Sequence, residues 1–360
     1  MNNSIKILIA PLDWGLGHAT RCIPIIAELR SLGATVIVAG TETTNALIRQ
    51  EFPSLEYVDL PPYGVNYAAH SKQLPLKIAL QVPRLLRTIK AEHRRLDELI
   101  GQYQIDAVIS DNRYGLYTDK VPCIFITHQL NIVIPQSTWL QRWVNQINHK
   151  MIQRFTQCWV PDEEEQALAG KLSARVDGIN LKYIGLLSRF EKAEPMSEVY
   201  ERLYLLSGPE PQRSLLEEKV RQWHAAHPCK ALMVRGVLMD AMQEEVADGM
   251  TGISHLPAAE LRKAILTSKW IICRSGYSTL MDLMQLRKSA LLIPTPGQTE
   301  QEYLASMLSE KQWFQTITQD AFGTEEALDI TKDSGKPIPE YDTQLFKGVL
   351  RQWLSGLNSL

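Results

Sequence analysis

Residues 5–40 read IKILIAPLDWGLGHATRCIPIIAELRSLGATVIVAG and have the pattern of a strand, a helix and a second strand. The apolar run at 5–10 is followed by a turn with two glycines, and apolar side chains then recur at helical spacing over 18–32. Gly33 lies where a helix end favours glycine, and residues 34–39 form a second apolar run. Two buried parallel strands joined by a helix are therefore predicted.

The same alternation continues along the chain. Further strand-like runs occur at 107–110, 123–127 and 158–160, with helical stretches between them, which is typical of a parallel sheet covered by helices. A polar stretch at 189–201 then interrupts the pattern and indicates a linker. We therefore predict a first Rossmann-like domain over residues 1–190.

The alternation of strands and helices restarts near residue 202. Strands are predicted at 202–206, 231–235, 270–273 and 290–294, and helices at 212–226, 257–266, after 278 and at 299–310. This predicts a second Rossmann-like domain over residues 200–360, whose last helix, at 343–354, either completes that domain or packs back on the first. The predicted fold class is α/β, with two Rossmann-like domains that face each other across a cleft.

The composition is that of a folded chain with two cores and excludes several classes of protein. The chain has 360 residues, of which 45% are hydrophobic and 22% are charged. A net charge of −2 provides no overall field that would attract a nucleic acid. Five widely spaced cysteines without a Cys-x-x-Cys pair argue against a disulfide framework or structural zinc, and no signal peptide or membrane span is evident at the start. We expect a cytoplasmic protein.

The turn after the first strand is a candidate site, because ligands of parallel sheets bind beyond the carboxyl ends of strands. This turn contains Gly15 and Gly17 and leads into His18. Thr20 stands where a dinucleotide-binding fingerprint has its third glycine, which argues against a nucleotide here. His18 at a helix start suits a general base, because the helix dipole disfavours its protonated form. The alternative is a tight turn with an incidental histidine.

A second candidate site, residues 273–279 (CRSGYST), follows a strand of the second domain. Its small residues precede a helix, and consecutive N–H groups in such a turn form a nest that suits a diphosphate. Arg274 would either bond the same anion or be a surface cation. Asp282 would either accept the hydroxyls of a ribose or complete a capping box with Thr279. The predicted nest includes Ser275, Gly276 and Ser278.

A third candidate, residues 294–302, also follows a strand of the second domain. Its polar side chains could bond the hydroxyls of a sugar in directional pairs, and they are Gln298, Glu300, Gln301 and Glu302. Thr299 and Glu302 also have the spacing of a capping box, so Glu302 has a structural alternative. Gln298 and Gln301 have a weaker structural explanation.

Four motifs together resemble the GT-B glycosyltransferases of family 28, typified by the bacterial transferase that adds N-acetylglucosamine to the lipid-linked peptidoglycan precursor. They are Gly-Leu-Gly-His at 15–18, His-Gln-Leu-Asn at 128–131, Cys-Arg-Ser-Gly at 273–276 and the segment 294–303. The likeness spans most of the chain in architecture. It implies that the second domain binds a UDP-sugar, as a co-substrate and not a cofactor, and that the first domain binds the acceptor.

The resemblance divides the candidate residues between the two substrates. His18 would face the acceptor, with Gly15, Gly17 and His128 in the acceptor loops. The donor would be held by His255 and Leu256 beside the uracil, Asp282 at the ribose, Ser275 and Gly276 at the diphosphate, and Gln301 and Glu302 at the sugar. The predicted donor site is completed by Ser207, Gly208, Arg274, Ser278 and Gln298.

The sequence departs from the family at three places. The glycine-rich turn after the first strand of the donor domain is replaced by SGPEP at 207–211, where two prolines remove N–H donors. Gln129 stands where an acidic residue is expected, so Asp111, which follows a strand of the first domain, is the candidate catalytic carboxylate. Glu302 replaces a glutamine, which suggests a donor sugar other than N-acetylglucosamine.

The implied reaction is the inverting transfer of a hexosyl or N-acetylhexosaminyl group to a hydroxyl, with a base that deprotonates the acceptor. No Asp-x-Asp pair follows a strand, so we predict that helix N-termini and Arg274, and no metal, stabilise the leaving UDP. Two alternatives stay open. Residues 15–22 also resemble the UDP-sugar hydrolase of sialic-acid-like sugar synthesis, in which His18 would activate water, and a nucleotide-sugar sensor would bind the donor without turnover.

Two segments suggest where the acceptor lies. Residues 72–95 carry seven lysines and arginines against one acid, and residues 124–161 carry three basic residues, no acid and three tryptophans. This composition is typical of a surface that meets anionic lipid headgroups. It would fit a glycan acceptor, free or lipid-linked, at the inner face of the cell membrane and a role in building the cell envelope. The alternative is a solvated basic helix with ordinary core tryptophans.

Overall fold

The computed structural model describes residues 4–64, 74–135, 137–165, 167–194, 196–238, 243–324, 336–342 and 344–357, with the backbone alone for 74–80 and 243. These residues fall into two compact units. The first comprises 4–64, 80–187 and 341–357, and the second comprises 74–79 and 188–340.

The first unit is built on a parallel sheet of seven strands. They are β1 (Lys6–Pro11), β2 (Thr35–Gly40), β3 (Glu56–Asp59), β4 (Ala107–Asp111), β5 (Cys123–Ile126), β6 (Gln157–Val160) and β7 (Leu181–Tyr183). Their order across the sheet is β3-β2-β1-β4-β5-β6-β7, and β1 is parallel to both of its neighbours. This is the strand order of a Rossmann-like domain.

Four helices of the first unit connect these strands, together with a short 3₁₀ helix at Gly170–Leu172. They are α1 (Leu16–Ser31), α2 (Glu42–Glu51), α3 (Leu74–Tyr103) and α4 (Thr138–Ile152). The apolar residues Cys22, Ile25 and Leu29 of α1 are fully buried, as their helical spacing requires. The strands contribute Leu8, Val108, Phe125 and others to one hydrophobic core.

The second unit repeats the architecture with one additional hairpin. Its strands are β8 (Tyr200–Leu205), β9 (Ala231–Val234), β10 (Gln243–Ala247), β11 (Met250–Ile253), β12 (Ser268–Cys273), β13 (Leu291–Leu292) and β14 (Gln315–Thr316). Their order is β10-β11-β9-β8-β12-β13-β14, in which only β10 is antiparallel to its neighbour. The helices are α5 (Gln212–Ala226), α6 (Ala258–Leu266), α7 (Tyr277–Gln285) and α8 (Thr299–Glu310).

The last helix, α9 (Leu345–Leu357), lies in the first unit. Its apolar face is buried, with Leu350 only 1% exposed. The Arg351 guanidinium bonds the Glu28 carboxylate of α1 at 3.0 Å. The ring of Trp353 meets that of Trp159 edge-on, with the ring centres 5.3 Å apart. These contacts make α9 part of the first core, although it follows the second unit in sequence.

The predicted α/β class with two Rossmann-like units is confirmed. The sequence analysis missed the strands β3, β7, β10, β11 and β14, which are short or lie toward sheet edges and therefore lack long apolar runs. The β10–β11 hairpin turns at Asp248-Gly249, a recognised hairpin signal. Across the described ranges, no helix combines the length and the apolar character that a membrane span requires.

Candidate functional site

The carboxyl ends of β1 and β4 define the candidate site of the first unit. The strand order reverses between these two strands, and ligands of open parallel sheets bind where the order reverses. Pro11 and Asp111 are partners in the register, so the two strands end at the same level. The backbone N–H of Leu12 donates to the Asp111 carbonyl at 3.0 Å. The Asp111 side chain is fully buried at this edge.

His18 lies beside Asp111 in the first turn of α1. The chain enters the helix through Gly15 at φ 90°, a conformation that residues with a side chain rarely adopt. His18 Nδ1 is 3.2 Å from Asp111 Oδ1. Burial and the nearby Arg21 charge lower the pKa of His18, while Asp111 opposes them by raising it. His18 is therefore neutral at pH 7, as a general base must be before it takes a proton.

Arg21 joins the predicted residues of the first unit into one cluster. Its Nε donates to Asp111 Oδ2 at 2.5 Å, and a terminal nitrogen donates to Asp111 Oδ1. A terminal nitrogen also lies 2.8 Å from His18 Nδ1, and the other lies 3.3 Å from His128 Nδ1. His128, which follows β5, is only 3% exposed. The sequence analysis missed Arg21, although its position three residues after His18 puts both on one helix face.

The same guanidinium sets the charge of Asp111. Burial by itself would raise the pKa of Asp111, but Arg21 and His18 outweigh it and lower the pKa to about 2. The carboxylate is therefore ionised at neutral pH. The cluster thus holds one fixed negative charge, one fixed positive charge and two imidazoles.

A second buried ion pair supports the loops around this cluster. Arg113, which follows β4, donates to Glu92 at 2.5 Å, and both side chains are fully buried. The remaining guanidinium nitrogens donate to the carbonyls of Pro11 at 3.1 Å and Pro61 at 2.6 Å. The Tyr63 hydroxyl donates to the second Glu92 oxygen at 2.6 Å. This network ties together the chain segments that leave β1, β3 and β4.

The carboxyl ends of β8, β12 and β13 form the corresponding region of the second unit. Gly208, after β8, has φ 99°, and a side chain built there would lie 3.6 Å from the Thr295 hydroxyl. Thr295, after β13, is 1% exposed, and within the described residues its hydroxyl has no hydrogen-bond partner. A buried hydroxyl without a partner is costly unless a ligand satisfies it. Ser207 precedes Gly208 in the same turn.

Arg274 is buried, so the interpretation of it as a surface cation is wrong. Its terminal nitrogens bond the Ile293 and Gln212 carbonyls at 3.1 and 2.7 Å and the Gln319 amide oxygen at 2.6 Å. Its Nε lacks a hydrogen bond among the described side chains and backbone. Burial lowers the pKa of Arg274 to about 10. Arg274 thus braces the loops beneath the candidate donor site with its charge intact.

The nest predicted at 273–279 lies at the start of α7. The N-cap is Gly276, and a side chain built on it would have open space within 4 Å. Ser278 is the second residue of the helix. The Ser275 hydroxyl is fully buried and donates to the Gln301 carbonyl at 2.8 Å, so this side chain holds α8 in place. An anion here would be bound by backbone N–H groups and the helix dipole.

Asp282 does not complete the capping box that was one of the two alternatives predicted for it. The helix begins at Tyr277, so Thr279 is not its N-cap and the predicted capping box does not form. Asp282 is nearly buried and instead accepts from the Ser188 hydroxyl at 2.7 Å and from Arg189 at 3.1 Å. Burial raises the pKa of Asp282, against the effect of Arg189. A ribose at this carboxylate would have to replace those partners.

His255 and Leu256 lie between β11 and α6 and are half-buried. Burial lowers the pKa of His255, and the Arg189 charge lowers it further. The Arg189 guanidinium therefore influences both His255 and Asp282, the residues that the family resemblance assigns to the uracil and the ribose. The sequence had placed Arg189 at the end of the first domain and attached no role to it.

The polar side chains of 294–302 hold their own loop together. The N-cap of α8 is Gln298, so Thr299 and Glu302 do not form the predicted capping box. Glu302 instead accepts from the Gly297 N–H at 2.8 Å. Gln301 accepts from the Thr295 N–H at 2.9 Å and donates to Gln298 at 2.5 Å. Gln298 and Gln301 therefore have the structural role that the sequence did not indicate.

The described ranges contain no group of three or more His, Cys, Asp or Glu side chains that could hold a metal ion. Positive charge among the candidate donor residues comes from Arg274, from Arg189 beside Asp282 and from the α7 N-terminus.

Comparisons with known proteins show similarity in a part of the sequence and in the fold. Residues 243–329 match the glycosyltransferase family 28 C-terminal domain. Solved structures with a similar fold include CalG4, the calicheamicin glycosyltransferase, with a TM-score of 0.62 at 13% identity, and the glycotransferase of kitacinnamycin, with 0.61 at 14%. The glycosyltransferase SnogD from Streptomyces nogalater gives 0.58 at 16%. Each comparison covers 99% of this chain and 94%, 94% and 96% of the other chain, respectively.

The chain thus has the GT-B glycosyltransferase fold, and its second unit contains a family 28 type sequence, which confirms the resemblance to that class. Among curated proteins, no sequence match is found. The comparisons give the hydrolase alternative no support.

Proposed function

We propose that this protein is a glycosyltransferase that moves a hexosyl or N-acetylhexosaminyl group from a UDP-sugar to a hydroxyl acceptor. The observation that carries the proposal is the neutral His18 beside the ionised Asp111, at the strand-order reversal of a fold shared with glycosyltransferases. A neutral imidazole with a carboxylate partner is suited to take a proton from a hydroxyl.

In the proposed reaction, His18 accepts the proton of the acceptor hydroxyl as the oxygen attacks the anomeric carbon of the donor. The bond between that carbon and the diphosphate oxygen breaks, and its electron pair leaves with UDP. A single displacement of this kind inverts the anomeric centre. Asp111 stabilises the imidazolium that forms, because it stays ionised beside His18 throughout.

The donor diphosphate is proposed to lie at the start of α7, beside Gly208 and Thr295. Gly208 allows the backbone to approach a phosphate closely, and the Thr295 hydroxyl would gain the partner that it lacks among the described residues. The α7 N-terminus and the charge of Arg274 would stabilise the leaving UDP without a metal. The roles of His255, Leu256 and Asp282 at the nucleoside stay proposals that rest on the family resemblance.

The proposal is tested by measuring UDP release from a panel of UDP-sugars, with and without hydroxyl acceptors. We expect release that depends on the acceptor and survives EDTA. His18→Ala should lower kcat by about 100-fold or more, because general-base catalysis contributes about 10²–10⁴-fold, and should leave UDP affinity unchanged. The matched control is His227→Ala, since His227 lies between α5 and β9, toward the amino ends of the strands and not at their carboxyl ends.

Three results would contradict the proposal. UDP release at the same rate without acceptor would indicate a hydrolase, and UDP-sugar binding without release would indicate a sensor. Full activity of His18→Ala in the presence of acceptor would remove the base from the mechanism.

We further propose that the acceptor is linked to a lipid and that the first unit meets an anionic membrane surface. Trp139, Trp143 and Ile147 recur every four residues on α4 and are 73%, 53% and 40% exposed. Exposed apolar side chains of this size on one helix face are typical of interaction sites. The charges of residues 124–161 are all basic.

The neighbouring helix α3 supports the same proposal. Within the described side chains of 81–95, Glu92 is buried against Arg113, so this single acid does not offset the exposed basic residues. Those residues are Arg84, Arg87, Lys90 and Arg94. Leu85 and Ile89 of α3 share a hydrophobic cluster with Met151 of α4, so the two helices form one surface. Lys72 and the side chain of Lys77, which the sequence analysis had included, lie outside the described residues.

A further inference from the structure

Arg21 is the least explained member of the cluster in the first unit. The side chain is 2% exposed, and its guanidinium contacts Asp111 through two nitrogens. The same group reaches His18 at 2.8 Å and His128 at 3.3 Å. A histidine–carboxylate pair needs no such third member in order to act as a base. The position of Arg21 therefore calls for a separate explanation.

The hydrogen-bonding chemistry of His18 Nδ1 limits what Arg21 can do. This nitrogen lies within reach of both Asp111 and Arg21, but it cannot donate to one and accept from the other at once. A guanidinium only donates and a carboxylate only accepts. Donation from Nδ1 to Asp111 leaves the lone pair on Nε2, which is the form that can accept a proton from a substrate.

The charge of Arg21 also affects the protonation state of His18. A buried carboxylate next to an imidazole favours the imidazolium, which cannot act as a base. The charged or titratable groups that face His18 are Arg21 on its own helix, Asp111 at the end of β4 and His128 after β5. Among them only Arg21 carries a permanent positive charge that cancels the carboxylate.

We propose that Arg21 is a positioning residue for the base: it holds the Asp111 carboxylate through two nitrogens and cancels its charge, so that His18 stays neutral. The inference rests on the proposed function, because it assumes that His18 is the base. It adds that the pH range of the enzyme is set by a buried arginine that takes no part in proton transfer.

The test is the titration of His18, followed by NMR of the full-length protein labelled with ¹⁵N-histidine, in the absence of substrate. Arg21→Gln should raise the pKa of His18, because the Asp111 charge then acts on it without compensation. Asp111→Asn should lower it, because the guanidinium charge then acts alone. Arg175→Gln, which replaces an exposed arginine of the same unit, is the matched control and should leave the titration unchanged.

The pH profile of kcat/KM should follow the titration. In Arg21→Gln the acidic limb should move to higher pH, so that kcat/KM at pH 6 falls by about tenfold or more relative to its high-pH plateau. A purely structural role would lower the rate at every pH and leave the limb in place.

Removing Arg21 leaves the buried Asp111 charge without its cation, which destabilises the fold, so the same change is also made in an Asp111→Asn background. The pKa of His18 is then compared between Asp111→Asn and the double variant Arg21→Gln/Asp111→Asn, which differ only in the Arg21 guanidinium. The double variant should have the higher His18 pKa. An unchanged pKa in both backgrounds, or a lowered one, overturns the proposal. Activity that survives His18→Ala overturns the proposed function instead, and the two failures are thus distinguishable.

Discussion

At the scale of single residues, the two candidate sites contrast in how their polar groups are satisfied. In the first unit, the Asp111 carboxylate is bonded by His18, Arg21 and the Cys22 thiol and has a lowered pKa before any substrate binds. In the second unit, the Thr295 hydroxyl is buried with no partner among the described residues. The first arrangement fits the catalytic group that we propose, and the second fits the proposed donor site, in which a ligand would supply the missing partner.

The Thr295 hydroxyl leads to a prediction about donor binding. Thr295→Val keeps the shape of the side chain and removes the hydroxyl, so the free protein should lose no stability. If the hydroxyl bonds a phosphate, UDP affinity should fall by about tenfold or more, since a hydrogen bond to a charged group contributes roughly 1.5–3 kcal/mol. Titration calorimetry with UDP and thermal unfolding provide the two measurements.

Thr267→Val is the matched control for this substitution. Thr267 is also buried, but its hydroxyl donates to the Lys263 carbonyl at 2.8 Å at the end of α6. This control should lower the melting temperature and leave UDP affinity intact. Equal UDP affinity of Thr295→Val and the unaltered protein would exclude the hydroxyl from the donor site.

At the scale of elements, helices rather than loops carry the exposed surfaces that distinguish this chain. The outer face of α4 presents two tryptophans to solvent, and α3 presents basic side chains, over a shared cluster that includes Tyr63 and Ile89. Each helix alone could be an ordinary amphipathic helix. Because both helices pack on one cluster, we propose that their exposed apolar and basic side chains together meet an anionic lipid surface.

This surface predicts preferential binding to anionic vesicles. The protein should sediment with phosphatidylglycerol vesicles at low salt, release at high salt and bind phosphatidylcholine vesicles weakly. Trp139→Ser/Trp143→Ser should lower the partition coefficient by roughly tenfold or more, because two large apolar side chains no longer enter the interface.

The matched control is Met196→Ser/Leu215→Ser, which removes two exposed apolar side chains of the second unit. It should bind vesicles like the unaltered protein. Equal binding to both vesicle types, or equal loss in both double variants, would contradict a specific membrane surface on α3 and α4.

At the scale of the whole molecule, the chain returns to its first unit after completing the second. The apolar face of α9 covers part of the first core, and Arg351 pairs with Glu28 of α1. The stability of the unit that holds His18 therefore depends on residues more than 300 positions away in sequence.

Because α9 packs on the first unit, a substitution in its buried face should speed hydrogen exchange in that unit and not in the second. Leu350→Ala removes a side chain that is 1% exposed and should cost about 2–5 kcal/mol, with faster exchange in α1 and β1 and little change in β8 and β12. Leu304→Ala in α8 removes an equally buried side chain and should have the reverse pattern. Faster exchange confined to the second unit in Leu350→Ala would contradict the assignment of α9 to the first.

Much of this architecture could be predicted from local patterns. Helices α5 and α8 were predicted at their observed bounds, because their apolar spacing and flanking breakers are local signals. The carboxylate Asp111 was a candidate from its place after a strand, and His18 from its place at a helix start. Both predictions follow from one rule, that ligands bind beyond the carboxyl ends of parallel strands.

The sequence by itself thus determined the two α/β units and the turns in which functional residues lie, because strand and helix patterns depend on neighbours in the chain. It did not determine the partners of buried polar groups. Such partners are distant in sequence: Arg21 and Asp111 are 90 residues apart, Arg189 and Asp282 are 93 apart, and Arg274 and Gln212 are 62 apart. Only the tertiary structure decides which charges become buried together, because each such pairing balances a desolvation cost that no local pattern records.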